Sequence, residues 1–148
     1  MKLKIAWIGK TKQPAIQELT NEYLKRLSHY AEVEGLALKD EAALMNLAER
    51  GGPSHSGLTM VLLDSRGRQL SSEGLASYMG DCQQRSSAPL LFAIGPADGF
   101  SEQARRSARM LLSLGKMTLA HEIARVVLLE QLYRAYTILK GHPYHHGH

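Results

Sequence analysis

The last residues of the chain carry the side chains best suited to chemistry. His142, Tyr144, His145 and His146 lie within residues 142–148. Imidazole and phenol groups can stack on a nucleotide, hydrogen-bond to it and help to move a proton. The same histidines could bind a metal, but no acidic or cysteine residue is near and the spacing typical of zinc sites is incomplete. A third alternative is a terminal segment without fixed structure; the interspersed glycine and tyrosine argue against a plain histidine tag.

The segment before this tail is predicted to form a long helix, residues 120–140, that is apolar on most sides. Such a helix needs cover on two sides, which in so short a chain a second subunit could supply. Arg125 falls inside the apolar sector, so its burial would need a partner or a polar cleft; alternatively its guanidinium reaches the surface. Glu130 and Arg134 are four residues apart and can pair across one turn.

The elements that must position these residues alternate between strand and helix. This alternation is typical of an α/β domain with a mainly parallel central sheet flanked by helices, and we expect residues 1–148 to form one such domain. We predict that Ser101 caps a helix, that Gly141 ends the last helix and that residues 65–68 form a turn. The predicted strands are residues 3–8, 33–38, 58–64, 89–94 and 111–118, and the predicted helices are 14–30, 41–50 (ended by 51–54), 72–85, 101–110 and 120–140.

In parallel sheets of this kind, ligands bind beyond the carboxyl ends of the strands. The candidate binding loops are therefore residues 64–68, 95–99 and 114–119. Glycines in the second and third loops would let the backbone approach a ligand, and the third loop is apolar enough to wall a pocket for a heterocycle. None has the spacing of a dinucleotide-binding motif or a P-loop, so NAD and ATP have little support. The alternative is that all three are ordinary connections.

Composition is that of an ordinary globular protein, and we expect a cytoplasmic one. Of the 148 residues 44% are apolar and 22% are charged, which argues against disorder and fibrous repeats. The single cysteine, Cys82, excludes an intrachain disulfide and a multi-cysteine metal site. No apolar run approaches the ~18 residues of a membrane-spanning helix, and the N-terminus lacks the pattern of a signal peptide, so we expect no membrane association.

The net charge of +4 lies in the last third of the chain. Residues 1–98 carry 11 Lys and Arg against 11 Asp and Glu, whereas residues 99–148 carry seven against three. Clustered positive charge suits a polyanion such as RNA, and Arg105, Arg106 and Arg109 are candidates for phosphate contacts. A solvated basic helix face explains the same charges equally well.

Several short motifs occur in a specific order along the chain. They are Leu-Lys-Ile at residues 3–5, Tyr-Leu-Lys-Arg at 23–26, Leu-Leu-Asp at 62–64, Ile-Gly at 94–95, Asp-Gly-Phe-Ser at 98–101, Leu-Tyr-Arg-Ala at 132–135 and His-Pro-Tyr-His at 142–145. With these motifs the sequence resembles the ribosomal large-subunit methyltransferase H family, a minimal branch of the SPOUT methyltransferases, over nearly its whole length. The last third is the most specific part.

The resemblance implies an enzyme that transfers a methyl group from S-adenosyl-L-methionine to N3 of a pseudouridine in 23S ribosomal RNA, without a metal. It also implies a SPOUT fold with a C-terminal trefoil knot and a homodimer; neither composition nor periodicity predicts the knot. A domain this small has no separate RNA-recognition module, so the expected substrate is a folded ribosomal surface, such as the assembled ribosome.

The same resemblance assigns the cofactor to the three candidate loops. Where the family usually has a second glycine, this chain has Pro96, which lacks an N–H and cannot donate a hydrogen bond there. The family's cofactor-binding positions match Leu63, Gly95, Leu114, Gly115, Lys116, Met117, Thr118 and Leu119.

Three further positions match the catalytic segments of the family, namely Arg134, Tyr144 and His145. We expect Arg134 to stabilise the developing uridine anion or an adjacent phosphate, and Tyr144 and His145 to hold the base and assist removal of its N3 proton. The resemblance suggests that the tail and the cofactor loops of one pocket come from different subunits. Alternatives are a SPOUT-type transfer-RNA methyltransferase, a non-catalytic ribosome-binding factor and, more distantly, a metal hydrolase that uses the histidines.

Overall fold

The computed structural model describes residues 1–49 and 57–146, which form five strands and five helices. The predicted end of the second helix at residues 50–54, and His148, lie outside the described residues. The strands are β1 (Lys2–Ile8), β2 (Glu32–Leu38), β3 (Thr59–Gln69), β4 (Leu90–Ile94) and β5 (Met110–Ser113), and the helices are α1 (Pro14–Leu27), α2 (Glu41–Glu49), α3 (Ser72–Arg85), α4 (Glu102–Ser107) and α5 (His121–Lys140).

The strands form one parallel sheet in the order β2-β1-β4-β3-β5, which confirms the predicted α/β fold. Strand β4 lies at the centre, and each of its residues is buried. A central strand of a parallel sheet is covered on both faces, which is why this segment is a continuous apolar run. The trefoil knot stays a prediction.

Helices cover both faces of the sheet. Leu90, Phe92 and Ile94 of β4 pack in a core cluster with side chains of α1, α3 and α5. Leu91 and Ala93 pack in a second cluster with side chains of α2 and α4. Because successive side chains of a strand point to opposite faces, α1, α3 and α5 lie on one side of the sheet and α2 and α4 on the other. In the described part of the chain no helix is long and apolar enough to cross a membrane.

Strand β3 is longer than predicted. It continues to Gln69, and the turn predicted at residues 65–68 is wrong. Leu63 and Arg68 both register with Leu112 of β5, so the residues between them bulge out before the pairing resumes. Pairing with β5 therefore holds this segment in the sheet, and sequence periodicity does not reveal such a partner.

The elements on either side of β5 are shorter than predicted. Helix α4 ends at Ser107, and the chain is already in β5 at Met110. Strand β5 ends at Ser113, so only the first part of the strand predicted for residues 111–118 exists. Gly115 has a φ of 137°, which few other residues adopt, and this turns the chain out of the sheet.

The predictions for Ser101 and Gly141 are confirmed, whereas the helices predicted to reach residues 30 and 110 end at Leu27 and Ser107. The Ser101 hydroxyl accepts a hydrogen bond from the backbone N–H of Ala104 at 3.1 Å, as an N-cap does. Gly141 adopts the left-handed conformation at φ 71° and ends α5. Both ends are thus determined by local sequence.

Helix α5 runs from the carboxyl ends of the strands to their amino ends. Near its start, the Glu122 carboxylate accepts hydrogen bonds from the backbone N–H groups of Lys12 (2.9 Å) and Gln13 (3.3 Å), which follow the carboxyl end of β1. Near its end, the Tyr136 hydroxyl lies 3.2 Å from the sulfur of Met1, which precedes β1. The helix therefore begins at the carboxyl edge of the sheet and ends at the amino edge.

Arg125 of α5 is buried, with 1% of its surface exposed. The alternative that its guanidinium reaches the surface is therefore wrong. One guanidinium nitrogen donates to the Thr11 hydroxyl at 2.8 Å and to the Thr20 hydroxyl at 3.4 Å. The guanidinium also lies 4.3 Å from the centre of the Trp7 ring. Burial lowers the pKa of Arg125 from its ordinary value, and the Glu122 carboxylate partly offsets that shift.

We predict that the aliphatic part of the Arg125 side chain contributes more to the stability of the protein than its charge does. Arg125→Ala leaves a cavity and should lower the free energy of unfolding by about 2–4 kcal/mol. Arg125→Met keeps most of the volume and removes a buried charge that has no carboxylate in contact, so it should stay within about 1 kcal/mol of the wild type. Urea denaturation at one protein concentration measures both changes. Equal losses for the two variants would contradict the prediction.

Candidate functional site

Three candidate cofactor positions meet at the carboxyl edge of the sheet. Leu63 lies in β3, Gly95 directly follows β4, and Leu114 directly follows β5. Strand β3 lies between β4 and β5, and all three run parallel, so their carboxyl ends are neighbours. The order of the strands thus brings together segments that are far apart in the sequence.

The third loop leaves β5 in an open conformation. The Ser113 hydroxyl accepts a hydrogen bond from the Gly115 N–H (3.1 Å) and donates one to the Gly115 carbonyl (2.9 Å). Within the described chain, no backbone–backbone hydrogen bond involves residues 116–119. Met117 is 85% exposed. Leu114 and Gly115 are half-buried, whereas Lys116, Met117, Thr118 and Leu119 are exposed.

The backbone and side chains of this loop are suited to bind the edge of a heterocycle. The peptide groups of residues 116–119 can offer both N–H donors and C=O acceptors, and exposed apolar side chains lie beside them. Such a combination suits the adenine ring that the sequence resemblance implies.

The loop after β4 is shaped by its glycines. A Cβ on Gly95 would lie 3.0 Å from the Phe100 ring, so the absence of a side chain lets that ring approach the backbone. Gly99 has a φ of 85°, and its N–H donates to the Pro96 carbonyl at 2.9 Å. The loop therefore contains a turn with positive φ at Gly99, as expected under the alternative that it is an ordinary connection.

The residue after Leu63 is held by an arginine. Asp64 lies 2.9 Å from the guanidinium of Arg105, and both side chains are largely buried. The other oxygen of the Asp64 carboxylate accepts a hydrogen bond from the backbone N–H of Arg66 at 2.8 Å. Arg105 was a candidate for phosphate contacts or for a solvated helix face, and only the fold shows that it pairs with this carboxylate.

The three candidate catalytic residues lie together at the other end of the molecule. A guanidinium nitrogen of Arg134 lies 3.0 Å from Nδ1 of His145. The same guanidinium lies 4.8 Å from the centre of the Tyr144 ring. The tail thus folds back on α5, and residues 142–146 are not the free terminal segment that the sequence allowed as an alternative.

Glu130 contacts two of these residues, Arg134 and Tyr144, and was not among the site residues predicted from the sequence. Its Oε2 lies 2.7 Å from the Arg134 guanidinium and accepts a hydrogen bond from the Tyr144 hydroxyl at 2.8 Å. Its Oε1 accepts from the Gln131 amide at 3.0 Å. The spacing of Glu130 and Arg134 predicted their pairing, but nothing in the sequence indicated the contact with Tyr144.

The carboxylate sets the charge states of its two partners. Its hydrogen bond raises the pKa of Arg134, which therefore stays a cation. Burial raises the pKa of Tyr144 well above its ordinary value, and the hydrogen bond to Glu130 raises it further. Tyr144 is consequently a phenol at neutral pH and acts there as a donor.

The contacts of His145 define one tautomer. Arginine only donates hydrogen bonds, so Nδ1 of His145 is the acceptor in its contact with Arg134. The neutral imidazole then carries its proton on Nε2, which lies 3.4 Å from a carboxylate oxygen of Glu73 on α3. His145 thus presents a lone pair towards Arg134.

Another histidine of the tail contacts Tyr30, which lies between α1 and β2. Nδ1 of His142 shares a hydrogen bond with the Tyr30 hydroxyl. Across residues 1–49 and 57–146, no group of three or more His, Cys, Asp and Glu could hold a metal ion.

The catalytic cluster and the cofactor loops lie far apart within one chain. Arg134 lies 13 residues after His121, and at ~1.5 Å per residue it is about 20 Å from the start of α5. That start lies at the carboxyl edge, where the loops are, whereas the end of α5 lies at the amino edge. One chain alone therefore does not bring the two halves of the candidate site together.

Solved structures of methyltransferases share the fold. The SpoU methyltransferase AviRb from Streptomyces viridochromogenes, in complex with AdoMet, matches with a TM-score of 0.52 and 12% identity, over 90% of this chain and 57% of that chain. A probable methylase family protein from Haemophilus influenzae matches with a TM-score of 0.59 and 12% identity, over 94% of this chain and 66% of that chain. The chain spans less than two thirds of either protein, and at this identity the likeness shows the fold alone.

Sequence comparison identifies the family. The ribosomal RNA large subunit methyltransferase H of Koribacter versatilis is 56% identical over the whole of both chains. The protein of the same name from Pelobacter propionicus is 40% identical, over 99% of this chain and the whole of that one. The family model described as "Predicted SPOUT methyltransferase" matches residues 1–145. These matches confirm the resemblance based on the short motifs, and the chain belongs to the SPOUT methyltransferase family.

Proposed function

We propose that the protein transfers the methyl group of S-adenosyl-L-methionine to N3 of a pseudouridine in 23S ribosomal RNA, on the assembled ribosome. Membership of the SPOUT family and the full-length similarity to ribosomal RNA large subunit methyltransferase H support the reaction class and the RNA. The observation that carries the proposal is that Arg134 contacts His145 and shares the Glu130 carboxylate with Tyr144, so that the two segments matching the family's motifs come together.

The loops at the carboxyl edge are the proposed cofactor site. S-adenosyl-L-methionine supplies an electrophilic methyl group on its sulfonium. The unpaired backbone groups of residues 116–119 would hold its adenine edge, with Leu114 and Gly115 leading into the loop. Leu63 and Gly95 would flank it from the two neighbouring strands. Pro96 offers no N–H, so the loop after β4 binds through other groups.

Arg134 is the proposed electrostatic catalyst. N3 of a pseudouridine becomes a good nucleophile only when its proton leaves, and negative charge then develops on the ring. The Glu130 carboxylate holds the guanidinium in place and keeps it charged. A cation fixed before the reaction stabilises the developing anion without the cost of reorganisation.

Tyr144 and His145 have different proposed roles. Tyr144 remains a phenol whose proton is donated to Glu130, so it positions the base and does not take up the N3 proton. His145 lies beside Arg134 through Nδ1, and this nitrogen is the proposed acceptor of the N3 proton.

Two copies of the chain complete the proposed site. Because the catalytic cluster lies about 20 Å along α5 from the cofactor loops, a homodimer must bring the tail of one protomer to the loops of the other. Apolar side chains around the start of α5 are available for such an interface: Leu119 is 36% exposed and Ile123 is 46% exposed. Each protomer would be a single domain of residues 1–148 acting in the cytoplasm.

We predict that purified protein transfers labelled methyl groups from S-adenosyl-L-methionine to assembled ribosomes and that nucleoside mass spectrometry finds them on a pseudouridine. Free 23S RNA is the matched control and should react more slowly, because the folded ribosomal surface presents the base. Methylation of transfer RNA instead would favour the transfer-RNA alternative. Absence of S-adenosyl-L-methionine binding in a calorimetric titration would favour a non-catalytic ribosome-binding factor.

Arg134→Lys should reduce kcat on ribosomes roughly 100-fold, because lysine lacks the planar fork that Glu130 and His145 hold. The affinity for S-adenosyl-L-methionine should stay unchanged, since the proposed partner of Arg134 is the base and the cofactor is held by the loops. Arg106→Lys is the control, because Arg106 is an exposed arginine that pairs with Glu102 at 3.7 Å. A wild-type rate for Arg134→Lys would rule out the proposed role.

Tyr144 should remain un-ionised at pH 10, where an ordinary tyrosine is about half ionised. Wild type and Tyr144→Phe should therefore gain the same phenolate absorbance between pH 7 and pH 10. In urea, where Tyr144 is exposed, the wild type should gain about half a phenolate more than the variant. If the native proteins already show this difference, Tyr144 ionises normally and the donor role is wrong.

A further inference from the structure

Four arginines surround one cavity that the proposed active site does not use. The cavity has a volume of about 440 Å³ and lies between the bulge of β3, the C-terminal half of α3 and the start of β5. Its arginines are Arg66 and Arg68 from β3, Arg85 from α3 and Arg109 just before β5. The volume lies within the ~300–1,000 Å³ of small-ligand sites, so it admits a phosphate with part of its ribose.

The charges of this cavity are not balanced by acidic groups. No Asp or Glu lines it. Arg66 lies 3.8 Å from Asp64, which is already paired with Arg105 at 2.9 Å. Among the described residues, no carboxylate lies within ion-pair distance of Arg68, Arg85 or Arg109; the contacts of two of them are a sulfur of Met110 at 3.8 Å and the Asp81 carbonyl at 3.3 Å. Converging guanidinium groups repel one another unless an anion lies between them.

The walls of the cavity are held in place by the backbone. A Cβ on Gly67 would lie 2.6 Å from the Leu111 carbonyl, so only glycine lets the β3 bulge pack this closely against β5. Tyr78 also lines the cavity, and its buried hydroxyl lacks an oxygen or nitrogen partner in the described chain. Burial, with the Cys82 thiol beside it, raises the pKa of Tyr78 to about 12, so it stays a donor. Arginine forks and a phenol donor suit the oxygens of a phosphate.

We infer that this cavity binds a backbone phosphate of the RNA substrate. The inference rests on the proposed function for the identity of the RNA. The cavity is lined by the start of β5 and by none of the residues of the loops after β4 and β5. It is therefore a contact for the RNA backbone separate from the cofactor loops and from Arg134, Tyr144 and His145, which act on the base. Of the three arginines assigned to phosphate from the sequence, Arg109 lines the cavity, whereas Arg105 and Arg106 pair with carboxylates.

The test removes two of the exposed arginines, in the double variant Arg85→Gln and Arg109→Gln. The KM for ribosomes should rise at least roughly tenfold, and the slope of log KM against log salt concentration should fall by about one, because one phosphate contact is lost. The kcat and the affinity for S-adenosyl-L-methionine should stay unchanged. The matched control is Lys25→Gln with Arg106→Gln, which removes the same charge from exposed positions of α1 and α4 outside the cavity.

A second variant separates charge from geometry. Arg85→Lys with Arg109→Lys keeps the charge without the fork, so it should keep the salt dependence and lose only part of the affinity. An unchanged KM and salt slope in the glutamine variant, or an equal effect in the control, would overturn the inference while the proposed function stands.

The two proposals also fail separately. If the wild type does not methylate ribosomes, the proposed function is wrong, and a fluorescently labelled RNA duplex of arbitrary sequence then tests the cavity, because all RNA carries the same phosphates. Weaker binding of the duplex by the glutamine variant than by the control supports the cavity as a phosphate site. Equal binding by both overturns it.

Discussion

The direction and length of α5 constrain everything else in this molecule. Its start is tied to the carboxyl edge of the sheet through Glu122, and its end is tied to the amino edge through Tyr136. A helix of 20 residues has a fixed length of about 30 Å, so groups near its two ends stay apart. The cofactor loops lie at one end and Arg134 lies towards the other. A single protomer therefore carries both halves of the proposed site without being able to join them, and the requirement for a second copy follows from this geometry.

A second organising element is the Glu130 carboxylate. It holds Arg134 and Tyr144 within 2.7 and 2.8 Å of its Oε2, and Arg134 in turn contacts His145. Residues 142–146 belong to no helix or strand, so these side-chain contacts position them on α5. Because hydrogen bonds that involve charged groups are stronger than neutral ones, one carboxylate can order a segment this short. The same contacts place a cation, a phenol donor and an imidazole lone pair next to one another, which is the set that deprotonation of a base requires.

Much of the fold could be predicted from the sequence because its signals are local. The apolar run of β4, the cap at Ser101 and the glycine at 141 each act through near neighbours. The extension of β3 could not be predicted, since it depends on pairing with β5, about 40 residues away. Arg125, Glu130 and Arg105 show the same limit: helical spacing suggested one contact at most for each, and their partners Thr11, Tyr144 and Asp64 come from distant segments. The roles of Arg134, Tyr144 and His145 came from family motifs; the sequence contains no measure of their mutual distance.

The most direct test of the two-protomer site is the activity of defined heterodimers. One protomer carries Arg134→Ala and the other carries Gly115→Val, which strains the third loop at its positive φ; differently tagged chains allow the mixed dimer to be isolated. Such a dimer has one intact composite site and should show about half the wild-type methylation of ribosomes, although each homodimer is inactive. The reciprocal dimer, with both substitutions in one protomer and a wild-type partner, should be inactive. The opposite pattern, an inactive first dimer and a half-active second one, would place each site within a single chain and contradict the account.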